Sequence, residues 1–175
     1  MNLYLRLIWT WLRAAFKPRI RPGDTIELQL RVWPSDLDVN GHMNNGRYMT
    51  IADLALVEYF TRSGFLKLAL SRGWKPMLGG GIISFRRGLK PFAKYTLRFT
   101  VPCWDERWNY TRFEFVRNGE VMAVGHAKGA AVGSKGIVDS HEVYTALGFD
   151  PVSPAFPESV SAWLRADALM RQQAA

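Results

Sequence analysis

The run Asp36-Leu37-Asp38-Val39-Asn40-Gly41-His42-Met43-Asn44-Asn45-Gly46-Arg47-Tyr48 gathers two carboxylates, three amides and an imidazole into thirteen residues. Carboxylates and imidazoles are the side chains that move protons near neutral pH. The run ends where a helix begins, and the free N–H groups of that first turn, around Asn45 and Gly46, can donate to an oxygen that gains negative charge. Asp53 adds a further carboxylate eight residues beyond Asn45, about two turns into the same helix. Cys103 is the single cysteine, which excludes an intrachain disulfide, offers no metal cluster and suits a reducing compartment.

The elements that must position these groups can be read from periodicity. Thr25 to Trp33 alternates apolar and polar residues as a half-buried strand does. Residues 34 to 45 are turn formers, and a loop of that length inside a compact domain is usually functional. A helix is expected from about Gly46 to Ser63, capped by Asn44 or Asn45 and stopped by Gly64. Its polar residues form only a thin stripe, so it is largely enclosed. A short helix over Phe65 to Arg72 leads to the loop-like Gly79-Gly80-Gly81. Strands follow at Ile82 to Leu89, Tyr95 to Cys103, Asn109 to Val116 and Val121 to Val132, with a hairpin turn at Asn118-Gly119. The sum is an α+β domain in which an antiparallel sheet wraps a long central helix. One such core suits 175 residues of which 48% are apolar and 13% aromatic, a composition that excludes low-complexity disorder.

The formal net charge is +8, but five of the bases precede the first acid, Asp24, and the remainder carries an excess of only +3. Those five sit in or just after an apolar segment with helical spacing. Asn2, Arg6, Thr10, Arg13 and Lys17 make one narrow polar face, and Leu5, Ile8, Trp9, Trp11, Leu12 and Phe16 cover the rest. Arg6 and Arg13 interrupt the segment, so it is neither a membrane span nor a cleavable signal. It reads either as an anchor on anionic lipid through residues 2–17 or as a helix packed on the domain or on a partner subunit. With the excess charge in one apolar-backed helix, nucleic-acid binding is not expected. The organisation is therefore an amphipathic helix over 1–21, a domain over 22–148, and a Pro-rich appendage with a helix from Glu158 to Arg171 over 149–175.

The motif Asp38-x-Asn40-x-His42-x-Asn44-Asn45-x-x-Tyr48 resembles the active-site loop of hotdog-fold thioesterases, both the 4-hydroxybenzoyl-CoA thioesterase type and the acyl-carrier-protein type. The order strand, loop, long helix and four strands is similar to that fold over about residues 24 to 135. The resemblance implies a single hotdog fold that hydrolyses acyl-CoA or acyl-carrier-protein thioesters without metal or other cofactor. It implies a homodimer or dimer of dimers, since one repeat per chain must pair to build the pocket. It further suggests a cytoplasmic location, peripheral on the inner face of a membrane where the N-terminal helix binds lipid.

By the same resemblance, Asp38 matches the carboxylate used as nucleophile or as base for water. Asn40 and His42 match residues that position water or substrate, although a loop imidazole can also serve only to bond the backbone. Asn45 and Gly46 would hold the oxyanion, and Tyr48 and Met49 would contact substrate, with Met49 and Phe60 lining the acyl cleft. Asp53 has two readings. In another branch of the family a helix carboxylate at that distance acts across the dimer interface, whereas here it also fits the thin polar stripe with Thr50 and Glu58. Asp36 is expected to cap the turn, and His126, Glu114 and Glu120 to be structural or superficial. Arg86, Arg87 and Lys90 form a cluster that meets either phosphates or solvent. Two rival functions are a non-catalytic acyl-chain binder at a membrane and a hotdog dehydratase or isomerase, whose loop pairs its His differently.

Overall fold

Alternation buries Ile26 and Leu28 of strand β1 (Ile26–Arg31) and leaves Glu27 and Gln29 outside. In the computed structural model, which describes residues 3–173, β1 opens an antiparallel sheet. Its other strands are β2 (Lys75–Phe85), β3 (Lys94–Trp104), β4 (Asn109–Arg117) and β5 (Glu120–Gly133), in the order β1-β3-β4-β5-β2, with the short β6 (Gly136–Ile137) beside β5. Asn118 and Gly119 have φ of 52° and 79° in the two-residue β4–β5 turn, the left-handed pair that matches strand twist.

Helix α2 (Asn45–Ser63) starts where the Asn44 side chain accepts the Gly46 N–H at 2.9 Å. It stops at Gly64, whose φ of 88° is the left-handed cap that also starts α3 (Phe65–Arg72). Tyr48, Ile51, Leu54, Ala55 and Tyr59 recur at helical spacing and are buried against Leu97, Phe99, Phe113 and Phe115 of the sheet. The Tyr48 ring meets Phe115 edge to face, centroids 4.8 Å apart, which fixes the first turn of α2 over the sheet. The sheet thus wraps α2, as expected.

Three local expectations need correction. Gly79-Gly80-Gly81 is not a loop but the middle of β2, and residues 86–93 form the loop instead. The reason is packing: a Cβ on Gly79 would lie 2.2 Å from the Trp108 ring, so the strand can pass there only without one. A helix absent from the sequence reading, α4 (Ser140–Leu147), is capped by the Asp139 side chain and stacks Tyr144 on Trp104, centroids 4.0 Å apart. Helix α5 (Glu158–Gln173) is no appendage, because Val160 and Trp163 are buried against Cys103 and Tyr110. Tyr110 alternates with Phe113 across the strand, so α5 covers the sheet face opposite α2.

Helix α1 (Leu3–Ala14) sits on the domain, one of the two placements open to it. It packs on α2 with its polar stripe inward: Arg6, Thr10 and Ala14 are buried, while Leu5, Ile8, Trp9, Trp11 and Leu12 are exposed. Asn2 lies outside the described residues. Charge explains the orientation. Arg6 donates to both oxygens of the wholly buried Asp36 at 2.9 and 3.1 Å, and Lys17 donates to Glu58 at 2.7 and 2.9 Å. Asp36 also accepts from Arg47 at 3.0 Å, and Glu58 from Arg62 at 2.9 Å. Each buried carboxylate is therefore held between one base from the N-terminal segment, Arg6 in α1 or Lys17 just after it, and one from α2. Asp36 does cap its turn, accepting the Trp33 N–H at 3.0 Å, but the ion pairs are its larger role.

Removing one partner of a buried pair strands the other charge. Arg6→Met is expected to lower stability to urea by about 3 kcal/mol, whereas Arg87→Met, which loses only the exposed pair with Glu120, should change it by less than about 1 kcal/mol. A separate expectation concerns Cys103, which is fully buried, with burial and the charge of Asp105 pushing its thiol up to about 11. A thiol reagent at mildly alkaline pH should leave the native protein unlabelled and label it stoichiometrically in denaturant.

Candidate active site

The loop before α2 is closed by its own backbone. Asp38 N–H donates to His42 C=O at 2.9 Å, Gly41 N–H to Asp38 C=O at 3.1 Å, and Leu37 bridges Met43. The Asp38 side chain completes this turn, its Oδ1 accepting the N–H of Asn40 at 2.9 Å and of His42 at 3.4 Å. Oδ2 has no such partner among the described residues. At the loop's far end Met43 is buried and its N–H bonds Leu89 C=O at 2.9 Å, docking the turn on the 86–93 loop. The His42 ring lies over Gly88, where a Cβ would come within 3.0 Å of it. Asn40 and His42 are exposed, with their side-chain tips unbonded to the described residues.

Two features set the electrostatics at this end of α2. Burial, and secondarily the charge of Asp38, raise the Tyr48 phenol above its ordinary value, while the Leu89 N–H donates to its oxygen at 3.4 Å. The expected oxyanion donors then differ from one another. The Gly46 N–H is taken by the Asn44 cap, whereas the Asn45 N–H, exposed in the first turn, bonds no acceptor among the described residues. Asn45 is the available donor.

Beyond that end, a cavity of about 440 Å³ runs along α2 towards β4, β5, α3 and α4. Met49, Thr50, Asp53, Leu56 and Phe60 line it from α2, with Thr111, Phe113 and Ala127 across from them. Asp38, Asn40, His42, Asn45, Gly46 and Tyr48 do not. Asp53 lines the cavity, exposed and without a hydrogen bond or ion pair among the described residues, and its partial burial raises its carboxyl above the ordinary range. Eight helical residues separate it from Asn45, about 12 Å along the axis. A single reacting carbonyl cannot touch both groups within one chain.

Several contributors escaped the sequence reading. Asn109 accepts from the Tyr144 hydroxyl at 2.6 Å and both line the cavity, as does Tyr59, whose buried hydroxyl has no partner. Tyr144 belongs to the unread helix, although Asp139 before it and Gly148 after it were the available start and stop signals. His126 is structural as expected: it bonds Thr111 C=O at 3.2 Å, stacks on Trp163, and burial lowers its imidazole's affinity for protons. Arg86, Arg87 and Lys90 flank the loop beneath His42; Arg87 pairs with Glu120, while Arg86 and Lys90 are exposed without an ion pair. No cluster among the described residues is suited to a metal ion.

With that geometry established, comparison with known proteins places the chain. A solved structure of a probable thioesterase from Escherichia coli, YbaW, superposes with a TM-score of 0.65 over 70% of this chain and 96% of that one, at 17% identity. A gentisyl-coenzyme A thioesterase, BH1999, gives 0.60 over 65% and 94%, at 19% identity. These likenesses establish a hotdog fold. In sequence, the chain is 31% identical over 176 aligned residues to the protein THEM6 of Xenopus laevis, covering 95% of this chain and 84% of the frog protein. It is 33% identical over 98 residues to the thioesterase poxG of Penicillium oxalicum, spanning 48% of this chain and 32% of the fungal one. The model of the thioesterase-like superfamily matches residues 32–164, from the end of β1 into α5. On this match, the turn of Asp38 and the helix end of Asn45 fall inside the shared region, and the chain belongs to the thioesterase-like superfamily.

Proposed function

We propose that this protein hydrolyses acyl thioesters of coenzyme A or of acyl carrier protein, with Asp38 as the acting carboxylate. The observation that carries this reading is the pairing of a carboxylate oxygen left free by its own turn with an unbonded N–H at the start of α2. Oδ1 of Asp38 is spent on the loop, which fixes the group and leaves Oδ2 to work. In one turnover Oδ2 takes a proton from water as the oxygen attacks the thioester carbon. The carbonyl oxygen becomes an oxyanion facing Asn45 N–H. Collapse breaks the C–S bond, the acid departs, and the thiolate recovers the proton from Asp38. Direct attack by Oδ2 would use the same geometry and pass through an anhydride that water opens.

The acyl tail has the apolar cavity beside Met49 and Phe60, and the phosphates of coenzyme A have Arg86 and Lys90 next to the loop. A second chain completes this picture. β2 lies at the sheet edge with no strand on its outer side among the described residues, and Met77, Leu78, Ile82 and Phe85 along it are exposed. Pairing two β2 edges continues the sheet and brings α2 of one chain beside α2 of the other. In an antiparallel pair Asp53 of one helix approaches the first turn of its partner, which removes the 12 Å separation about which a single chain can do nothing.

Thiol release from a panel of acyl-CoA and acyl-carrier-protein substrates tests the assignment. Asp38→Asn is expected to lower kcat by about 10² to 10⁴-fold and Asp53→Asn by less than about tenfold; the reverse order would transfer the role to Asp53. The pH profile separates them too. Because partial burial raises the Asp53 carboxyl, a base role for it predicts an acid limb above the ordinary carboxylate range, and a profile without such a limb argues against that role. Binding of acyl chains with no hydrolysis of any substrate would make the protein a carrier instead. The double variant Arg86→Ala, Lys90→Ala should raise KM for acyl-CoA several-fold with kcat little changed.

A further inference from the structure

Helix α1 turns its apolar side away from the protein. Ile8 is 55% exposed, Trp9 60%, Leu12 44% and Phe16, just past the helix, 90%. At 100° per residue, Leu5, Ile8, Trp9, Leu12 and Phe16 share one side, opposite Arg6, Thr10, Ala14 and Lys17. The helix cannot roll to hide them. Its inner side is committed to Asp36 and Glu58, and turning it would strand two buried carboxylates with half their partners. A contiguous patch of this kind on a folded surface marks an interaction site.

The charges beside the patch identify what covers it. A groove along α1, between Trp9 and β1, is lined by Arg13, Arg31 and Lys94, none of which has an ion pair among the described residues. The carboxylates in that groove are already spent, Glu27 on Arg98 and Glu58 on Lys17 and Arg62. No acidic residue precedes Asp24. The patch is therefore tryptophan-bearing, apolar and rimmed by uncompensated positive charge. A second copy of the chain is a poor fit, because a two-fold contact through this face sets those bases against themselves. An anionic bilayer surface satisfies both halves: the aromatic and aliphatic side chains enter the headgroup boundary while the bases meet lipid phosphates. No described helix is long and apolar enough to cross the membrane, so contact is one-sided.

We infer that the outward face of α1 docks the protein on anionic membrane surfaces, with the helix lying in the interface and held to the domain by Arg6 and Lys17. This does not depend on the catalytic reading. Co-sedimentation of the full chain with vesicles tests it. Binding to phosphatidylcholine vesicles containing phosphatidylglycerol should exceed binding to phosphatidylcholine alone by about tenfold or more and should fall with added salt. The triple variant Ile8→Glu, Leu12→Glu, Phe16→Glu should lose that binding while keeping the thermal melt and the hydrolysis of a short soluble substrate. As a check that needs no variant, brominated phosphatidylcholine mixed into the anionic vesicles should quench the tryptophan fluorescence of the unmodified protein. Failure to sediment, equal binding to neutral vesicles, binding retained by a folded triple variant, or absence of quenching overturns the inference. So does a triple variant whose molar mass by light scattering drops without lipid, since that would make the face a subunit contact.

Discussion

The loop that carries Asp38 stands on one buried carboxylate. Asp36 has no exposure to solvent, so its charge must be met inside the protein, and it is met from three elements: Arg6 of α1, Arg47 in the first turn of α2, and the Trp33 N–H at the end of β1's extension. Its backbone oxygen also accepts the Asn44 N–H at 2.8 Å. Asp36 and Asn44, near the two ends of the turn-forming stretch, are thereby pinned to one point. What lies between them, Asp38 to His42, is short enough to be held by its own turn. The position of α2's free N–H relative to Asp38 follows from this clamp, because Arg47 and Asn44 bracket Asn45.

A second consequence concerns the division of labour along α2. Residues at its start face the loop, and residues one to four turns further on face the cavity, so the helix axis itself separates the polar end of the site from the apolar one. On the proposed function a thioester would follow that axis, its carbonyl at the helix start by the unbonded Asn45 N–H and its hydrocarbon along Met49, Leu56 and Phe60. The cavity is not wholly apolar, however. Asn109, Tyr144 and the unpartnered hydroxyl of Tyr59 put polar groups on its walls. Asp53 interrupts the apolar stripe at the mouth, which is why its carboxyl is partly desolvated without being paired.

Much of this was legible before any coordinates. The loop, the Asn44 and Gly64 caps of α2, the Asn118-Gly119 turn and the alternating strands rest on local rules, and local rules can be read from one chain. The errors share a different cause. Gly79 sits in a strand because Trp108, twenty-nine residues away, packs where its side chain would be. α1 turned out with its polar stripe inward because Asp36 and Glu58 wait there, and neither carboxylate is visible from the helix's own periodicity. The value of Asp36 was missed for the same reason: beside Asp38 it looks like one more turn former, and only the arrival of Arg6 from thirty residues upstream distinguishes it. The site's polar loop was therefore readable, and the contacts that fix it were not.

The orientation of α1 sets charge against hydrocarbon. Burying the apolar side would remove more hydrocarbon from water, but it would leave Asp36 and Glu58 buried without Arg6 and Lys17. The chain instead spends desolvation on Arg6 and Lys17 and leaves tryptophan and leucine outside. Ion pairs are directional where apolar contacts are not, so this choice fixes both the rotation and the axial position of the helix on α2. Hydrophobic packing would permit the helix to roll or slide; two carboxylates 22 residues apart, at Asp36 and Glu58, each answered by a base eleven residues apart on the other segment, do not. An apolar surface held in one fixed orientation relative to the active-site loop is what a protein needs when an outside surface has to meet that loop from a constant direction.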